Sequence, residues 1–496
     1  MSRLNILQPN YAQCSIDNKL VDGDLVFQNK LFHGDLSNED YSLQSSQRSD
    51  FLIGGVIKFK NTYTFGKGDL FEFVPINWRF PKFLVRSNIK NSILKKKKDR
   101  ITNYFVVIKF KEWIDKIPRG TIVHSIGTVE DVRNQYEVLF YYYPTMTILP
   151  SKPLDITNNT MAHTHAHTNN TFTIDPSGCE DMDDALSFDH IHNRIGIHIT
   201  DVTVWVDKFV PDKYFTVYAP HKNVHMFPTD ISTHLASLKE GEQKNVITCW
   251  IDVDNGKHTF EIHHICVTKN LTYEDAETLI RCGHPTLEKL WHESKKIGET
   301  LGIEVTDTHK MIEVYMVYYN QAMAIHLKER GTIYRSHQLH KRAFYTLEHQ
   351  PHEQLNLPYY THATSPIRRY TDFLVQKLFK GDVCVERDQI DKINAYETNL
   401  KRLYRMWDYT KASQKIENGK LYTVNFGEIE EERLLFSCEE LKIMISMKIP
   451  FEHDHDTISI YGKKYTINGD YRFPLYVIED TKHTMFHKIL IEFPKN

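Results

Sequence analysis

Disulfides, a membrane span and a secretion signal each mark a sequence, and this chain of 496 residues carries none of those marks. Its seven cysteines are scattered, odd in number and never spaced as C-x-x-C, so reduced thiols are expected rather than a disulfide framework. No apolar run approaches the roughly 20 residues of a spanning helix, and the N-terminal stretch lacks a signal-peptide core. The expectation is a soluble intracellular protein, cytoplasmic or nuclear, not secreted and with no membrane partner. A surplus of basic charge is missing too: the formal net charge is −3, which by itself points away from a nucleic-acid partner. Hydrophobic residues make up 41% of the chain, enough for packed cores, and the length accommodates roughly three domains.

Acidic charge, by contrast, is concentrated. Residues Asp175 to Asp184 read DPSGCEDMDD and hold five carboxylates beside Pro176 and Gly178. Two carboxylates about 4 Å apart repel by about 1 kcal/mol in water and about 4 kcal/mol at a protein-like dielectric, so a converging set needs cations between its members. Ligands that are all oxygen favour Mg²⁺, Mn²⁺ or Ca²⁺ over zinc. A helix-loop-helix calcium loop is excluded. Counted from Asp175, its fifth and sixth positions are Cys179 and Glu180; counted from Asp181, they are Ala185 and Leu186. Asp183 and Asp184 would point to opposite faces of a regular strand, so both reach one site only if the backbone turns there, as Pro176 and Gly178 allow. Magnesium shares its coordination with substrate phosphates, so such a loop suggests phosphate chemistry. On charge alone, a solvated acidic turn explains the run equally well.

Basic charge gathers elsewhere. From Arg79 to Arg119, thirteen Lys or Arg stand against Asp99, Glu112 and Asp115, a net of +10. The run Lys95, Lys96, Lys97, Lys98 reads either as a solvated loop or as a surface that tracks a phosphate backbone. Up to about residue 150, short β-rich runs between turn signals suggest small barrels. Residues 150 to 171 read as a linker, with Pro150, Pro153 and the run NNTMAHTHAHTNNT. Its alternating His163, His165 and His167 fit a solvated loop better than a metal tract, because nothing nearby supplies further ligands.

Beyond the linker the pattern is mixed. Ile195, Ile197 and Ile199 alternate as on a half-buried strand. Residues 308 to 330 read as a long helix with Met311, Tyr315, Tyr318, Ala322 and Ile325 in one stripe, ended by Gly331, and with Glu313 and Asn320 together off that stripe. A second helix is expected from Ser365 as N-cap and Pro366 at the first position, with Ile367, Tyr370, Leu374 and Leu378 inward and a stop near Gly381. Arg369 falls on the opposite side and is expected at the surface. Strand-like runs return from about 418 to 496, where Glu428, Glu430, Glu431, Glu432, Glu439 and Glu440 weigh against a strong RNA clamp.

Two blocks carry a resemblance. FTIDPSGCEDMDDAL at 172 to 186 is similar to the signature of the ribonuclease II (RNB) family, in the version found in the catalytic 3′→5′ exonuclease subunit of the eukaryotic exosome. YTHATSPIRRY at 360 to 370 resembles the other specific motif of that family, in the family's order. Weaker similarities run between them, at ITDVTVWV, YAPHKNVHMFPTDIS, ASLKEG, LTYEDA and MIEVYMVYYNQ, and the resemblance extends from about residue 50 to 380. It implies an α+β chain in a shortened form without the endonuclease domain: a mixed α/β RNB catalytic domain at 151–417, flanked by small OB-type β-barrels. These are a first cold-shock-like barrel at 1–78, irregular at its N-terminal part and with Gly68-Asp69 as a turn, and a basic second one at 79–150. An OB-like module at 418–496 matches only weakly.

The resemblance also implies a chemistry: hydrolytic 3′→5′ degradation of single-stranded RNA to nucleoside 5′-monophosphates. Asp175, Asp181, Asp183 and Asp184 match the family's metal-site aspartates, for Mg²⁺ with Mn²⁺ as the substitute, and Glu180 is not among them. Arg368 matches the catalytic arginine, which the expected helix would place in its first turn, where backbone N–H groups favour a phosphate. Tyr218 and Tyr273 match aromatic positions that hold RNA, although without the match either reads as core. Glu313 matches the first acid of a paired-Glu motif whose second member is replaced by Val314. Lys244 stands where Arg is usual, and the segment between His337 and His352 is shorter than the family's spacing. The implied partner is single-stranded RNA, with an RNA-decay complex as a candidate assembly and a monomer as the expected state. The competing readings are a catalytically inactive RNA-binding member of the family, and a glycosyltransferase with Asp181-Met182-Asp183 as its metal motif, in which SPIRRY has no place.

Overall fold

Alternation of buried and exposed side chains organises most of the N-terminal part of the chain into sheets. The protein is described by a computed structural model at residues 2–17, 19–38, 40–46, 48–65, 68–87, 103–114, 116–143, 170–206, 213–338, 342–430, 433–454, 456–479 and 487–494. The basic run Lys95 to Lys98 and the tract of His163, His165 and His167 lie outside the described residues. Two compact units are formed, one from Met1–Thr147, Ala219–Lys222 and Asn399–Asn496, the other from Ile148–Tyr218 and Asn223–Thr398. All seven cysteines are free thiols. Among the described residues no helix is long and apolar enough to cross a membrane.

In the first unit, residues up to Ser45 form a five-stranded antiparallel sheet, not the irregular segment expected. Leu4, Ile6, Tyr11, Cys14, Val26 and Leu31 make its core. Next comes a closed five-stranded barrel from Leu52–Phe65, Gly68–Pro75, Phe83–Arg86, Tyr104–Glu112 and Arg119–Thr128. Closure occurs where Arg119 and Gly120 pair with Leu84 and Val85 on one side while the same strand pairs with Tyr104–Glu112 on the other. Ile53, Ile57, Phe71, Phe73, Phe83, Val85, Val106 and Ile108 fill the interior. Gly55 is required by packing, since a Cβ there would lie 2.3 Å from Phe73 Cζ.

Two expectations are corrected here. The boundary at residue 78 cuts through this one barrel, because Phe83 and Val85 point into the same core as Phe71 and Phe73. Gly68 and Asp69 are strand residues paired with Phe65 and Thr64 rather than the turn itself. The C-terminal part of this unit is a second five-stranded sheet, from Leu421–Glu430, Arg433–Cys438, Ile443–Met447, Asp470–Glu479 and His487–Ile491. Phe426, Phe436, Tyr465, Phe473 and Phe493 pack in its core.

The second unit is built on a six-stranded sheet in the order His258–Cys266, Gln243–Asp252, Arg194–Thr200, Asp184–Asp189, Thr171–Asp175, Lys269–Thr272. Only the last pair is parallel. Helix Tyr273–Arg281 starts from a capping box of Thr272 and Asp275, and helix Pro285–Leu301 ends on Gly302 in the left-handed region.

Helix Thr308–Leu327 begins as expected after Asp307, whose side chain accepts from Lys310 N. It is gripped on several sides rather than along one stripe. Tyr315 Oη donates to Leu290 O, Tyr319 Oη to Ile247 O, and Asn320 holds both Tyr360 and Ala363. Ile325, expected inward, is exposed. The later helix spans Tyr370–Lys380 and stops at Gly381, which is left-handed (φ 79°), as the sequence suggests.

Its start is a further correction. Ser365 does not cap it; the N–H groups of Arg368 and Arg369 both donate to Ser365 O, closing a separate turn. Thr216 N donates to Arg368 O and Tyr370 N to Tyr214 O, and these bonds draw Arg369 into a β-bridge with Phe215 that keeps it out of the helix.

Candidate active site

The strand Thr171–Asp175 ends on an aspartate and the strand Asp184–Asp189 begins on one, so the sheet brings both ends of the acidic loop together. Between them the backbone turns, with Gly178 at φ 81°, and the loop is tied down by Ser237, whose Oγ donates to Glu180 O and accepts from Met182 N. Met182 is buried with Leu238, Val246 and Ile265. Asp183 therefore precedes the strand rather than lying within it, and escapes the alternation that would separate it from Asp184. Asp175, Asp181, Asp183 and Asp184 all line one cavity of about 630 Å³, with Tyr218, Tyr273, Glu313 and Arg368 on the same walls.

Asp183 is 2% exposed. Its Oδ1 accepts from Ile367 N at 2.8 Å and its Oδ2 from Arg368 Nε at 3.0 Å, so the two sequence blocks meet in a carboxylate–turn clamp. Arg368 thus sits on the turn before the helix, not in its first turn, and helix-end N–H groups do not assist it. Asp183 anchors its guanidinium, and 45% of its side chain remains accessible. Arg369, expected at the surface, instead binds Asp372, Thr364 and Ser365 and borders the cavity.

Tyr218 Oη donates to Asp181 Oδ2 at 2.6 Å, and His225 Nδ1 lies 4.0 Å from the same oxygen. Tyr273 stacks on His309, with centroids 3.6 Å apart and planes at 19°, so one face of its ring is covered. Glu313 is exposed and paired with Lys310, while Val314 beside it is fully buried. Lys244 holds the carbonyls of His234 and Leu235 and pairs with Glu242, a structural task away from the cavity wall.

The electrostatics are unbalanced. Burial pushes the carboxyl pKa of Asp175 up, against the pull of Arg368. Burial and repulsion by Asp175 do the same to Asp184, and burial raises Asp183 well above the usual range in spite of Arg368. Asp175 Oδ2 is buried with no hydrogen-bond partner. Among the described residues no three carboxylate, imidazole or thiolate groups close around a single point. The donor chemistry still fits a hard divalent cation: oxygens only, one of them orphaned, on acids that repel each other. The sequence reading missed Arg369, His225 and His362. His362 lies within the YTHATSPIRRY block, and His225 within YAPHKNVHMFPTDIS, so both were in view without a spacing that marked them.

Comparison with known proteins follows the same lines. Residues 165–290 and 336–381 match the RNB domain, and residues 70–143 match the Dis3-like cold-shock domain 2 (CSD2). The chain carries an RNB domain. The aspartate loop and Arg368 fall inside the matched RNB segments, whereas Glu313 and Asn320 fall between them. Ribonuclease R of Chlamydia pneumoniae is 22% identical over 404 residues, covering 58% of this chain and 60% of that protein. The human exosome complex exonuclease RRP44 is 21% identical over 552 residues, covering 85% of this chain and 56% of that protein. The chain thus spans between about half and three fifths of the length of these curated relatives. Among solved structures, Mycoplasma genitalium RNase R in complex with ribose methylated single-stranded RNA superposes with a TM-score of 0.75 at 16% identity, over 99% of this chain and 100% of that one. Yeast Ssd1, described as a pseudonuclease, gives 0.62 at 13% identity, over 92% and 80%. An RNB fold flanked by OB-type barrels is the shared architecture.

Proposed function

We propose that this chain is a hydrolytic 3′→5′ exoribonuclease that shortens single-stranded RNA to nucleoside 5′-monophosphates with Mg²⁺, Mn²⁺ substituting. The observation that carries this reading is the clamp of Asp183 by Ile367 N and Arg368 Nε, which brings an acidic cluster and a phosphate-binding fork into one cavity. Each carboxylate oxygen has two lone pairs, so Asp183 can serve the clamp and still face a cation. A divalent cation held by Asp175, Asp181, Asp183 and Asp184 would acidify a water and neutralise charge on the phosphate.

The remaining work falls to the protein. Arg368 offers a bidentate fork to the phosphate oxygens. Tyr218 and the open face of Tyr273 supply aromatic surface for bases, worth about 1–3 kcal/mol per stacked base and indifferent to sequence. Water oxygen bonds to phosphorus as the P–O3′ bond breaks, and the departing O3′ takes a proton. A strand with a 3′-hydroxyl and a nucleoside 5′-monophosphate result. Single-stranded RNA is the proposed partner, an RNA-decay complex the candidate assembly, and a monomer the working state.

A second reading is favoured by two observations: the carboxylates do not close on one point, and the fold is shared with a pseudonuclease. Here the chain binds RNA without cutting it. Incubation of 3′- and 5′-end-labelled single-stranded RNA with Mg²⁺ or EDTA, for the chain and for Asp183→Asn, separates the two. Stepwise loss from the 3′ end, present only with metal and an intact Asp183, is expected. Internal cuts, or equal persistence of the RNA in every sample, would contradict cleavage from the 3′ end.

A further inference from the structure

A second cavity, of about 420 Å³, lies in the unit formed by residues 1–147, 219–222 and 399–496, and no acidic residue lines it. Arg3, Arg79 and Arg402 border it, and none of the three enters an ion pair among the described residues. Asp35, two residues beyond His33, is already paired with Arg48 and accepts from Ser46 Oγ. The cavity is therefore a pocket of uncompensated positive charge.

Its walls are held in place. Asn77 is buried; its Oδ1 accepts from Arg79 N at 3.1 Å and its Nδ2 donates to Tyr142 O at 2.9 Å, fixing the turn that presents Arg79. Arg79 Nε is itself buried with no hydrogen-bond partner. A donor fixed and left unsatisfied in this way is costly unless a ligand accepts from it. His33 Nδ1 accepts from Ile6 N at 3.1 Å, so the neutral ring carries its proton on Nε2. Burial, with Arg79 and Arg3 repelling a further charge, lowers the His33 pKa to about 4 and keeps it neutral. Phe51 and Phe80, with centroids 6.2 Å apart, add an apolar wall.

We infer that this cavity binds the phosphate group of a nucleotide, with the forks of Arg3, Arg79 and Arg402 on the phosphate oxygens and Phe51 and Phe80 flanking the nucleoside. Planar guanidinium forks match phosphate oxygens bidentately, and three of them suit a dianion better than a single carboxylate. The volume falls within the range of small-ligand sites, about 300–1,000 Å³. The phosphate belongs either to a free mononucleotide or to a nucleotide of a strand, and both use the same donors. The inference does not depend on RNA cleavage, since none of these residues lines the aspartate cavity.

Isothermal titration of the full chain in EDTA, with adenosine 5′-monophosphate, adenosine, inorganic phosphate and a single-stranded RNA decamer, tests it. Adenosine should bind at least about tenfold more weakly than its monophosphate, and Arg79→Gln/Arg402→Gln should weaken phosphate-bearing ligands by about tenfold or more. Arg402→Gln alone, at an exposed side chain, should give a smaller loss in the same direction and guards against misfolding of the double variant. Loss for the monophosphate identifies a free nucleotide as the source; loss for the decamer alone identifies a strand. Equal binding of every ligand by wild type and both cavity variants would overturn the assignment.

Discussion

The aspartate cavity and the arginine cavity are opposites in charge and alike in physics. In the first, burial and mutual repulsion raise the carboxyl pKa values of Asp175 and Asp184, and one oxygen of Asp175 has no partner. In the second, burial and two arginines lower the pKa of His33, and Arg79 Nε has no partner. Structural charges in this protein look different. Asp35 with Arg48, Arg335 with Glu397 and Asp372 with Arg369 are each paired. Each cavity thus holds a buried polar atom without a partner where a ligand of opposite charge is proposed, a cation in one and an anion in the other.

Breaking the acidic side of this comparison should have the largest effect. Asp183→Asn removes a metal-facing charge and weakens the hold on Arg368, and the rate of RNA shortening should fall by about a thousandfold or more in a single-turnover assay. Arg368→Lys keeps the charge but loses the fork and the Nε bond to Asp183, so a drop of about ten- to a hundredfold is expected in the same assay.

The two cavities should also respond to pH in opposite directions. Folded-state pKa values of Asp175 and Asp184 lie above the ordinary carboxylate range, so the folded state binds more protons and stability is lost as pH rises toward neutrality. In EDTA the melting temperature should decline over that window by a few degrees, and Asp184→Asn should flatten the decline. His33, lowered to about 4, contributes stability that is present above its ordinary pKa and lost as pH falls toward the folded value. His33→Gln should therefore reduce the acid-side loss and leave the neutral side unchanged in the same scan. Tyr218→Phe should have the smallest effect, about two- to fivefold on the rate, because the ring remains and only its hydrogen bond to Asp181 is lost.

Local chemistry made parts of this arrangement legible in the sequence. The acidic loop, the helix from Asp307 and the stop at Gly381 follow from residue types whose local preferences the fold obeys. Ser365-Pro366 has the local grammar of a helix start, but bonds from Thr216 and Tyr370 override it, and such partners lie too far along the chain for any pattern to register. Arg369 escapes the pattern for the same reason: a free face at Arg369 presupposes a helix running from Pro366, whereas the helix begins at Tyr370. The barrel boundary failed because turn-like residues 76 to 82 mark a connection within one closed sheet as well as they mark a break between two. No part of the arginine cavity was legible, since Arg3, Arg79 and Arg402 are far apart in the chain and become a group only through the fold.

Titration of the metal-free chain with Mn²⁺, followed by the electron paramagnetic resonance of the free ion and by proton release, tests the central claim directly. Saturable binding accompanied by released protons is expected for the wild type, because the raised carboxyls must ionise to hold the cation, and Asp175→Asn/Asp184→Asn should weaken it by about tenfold or more. An ion that stays free in both samples, or binds both equally, would contradict the claim that this acidic loop is a cation site.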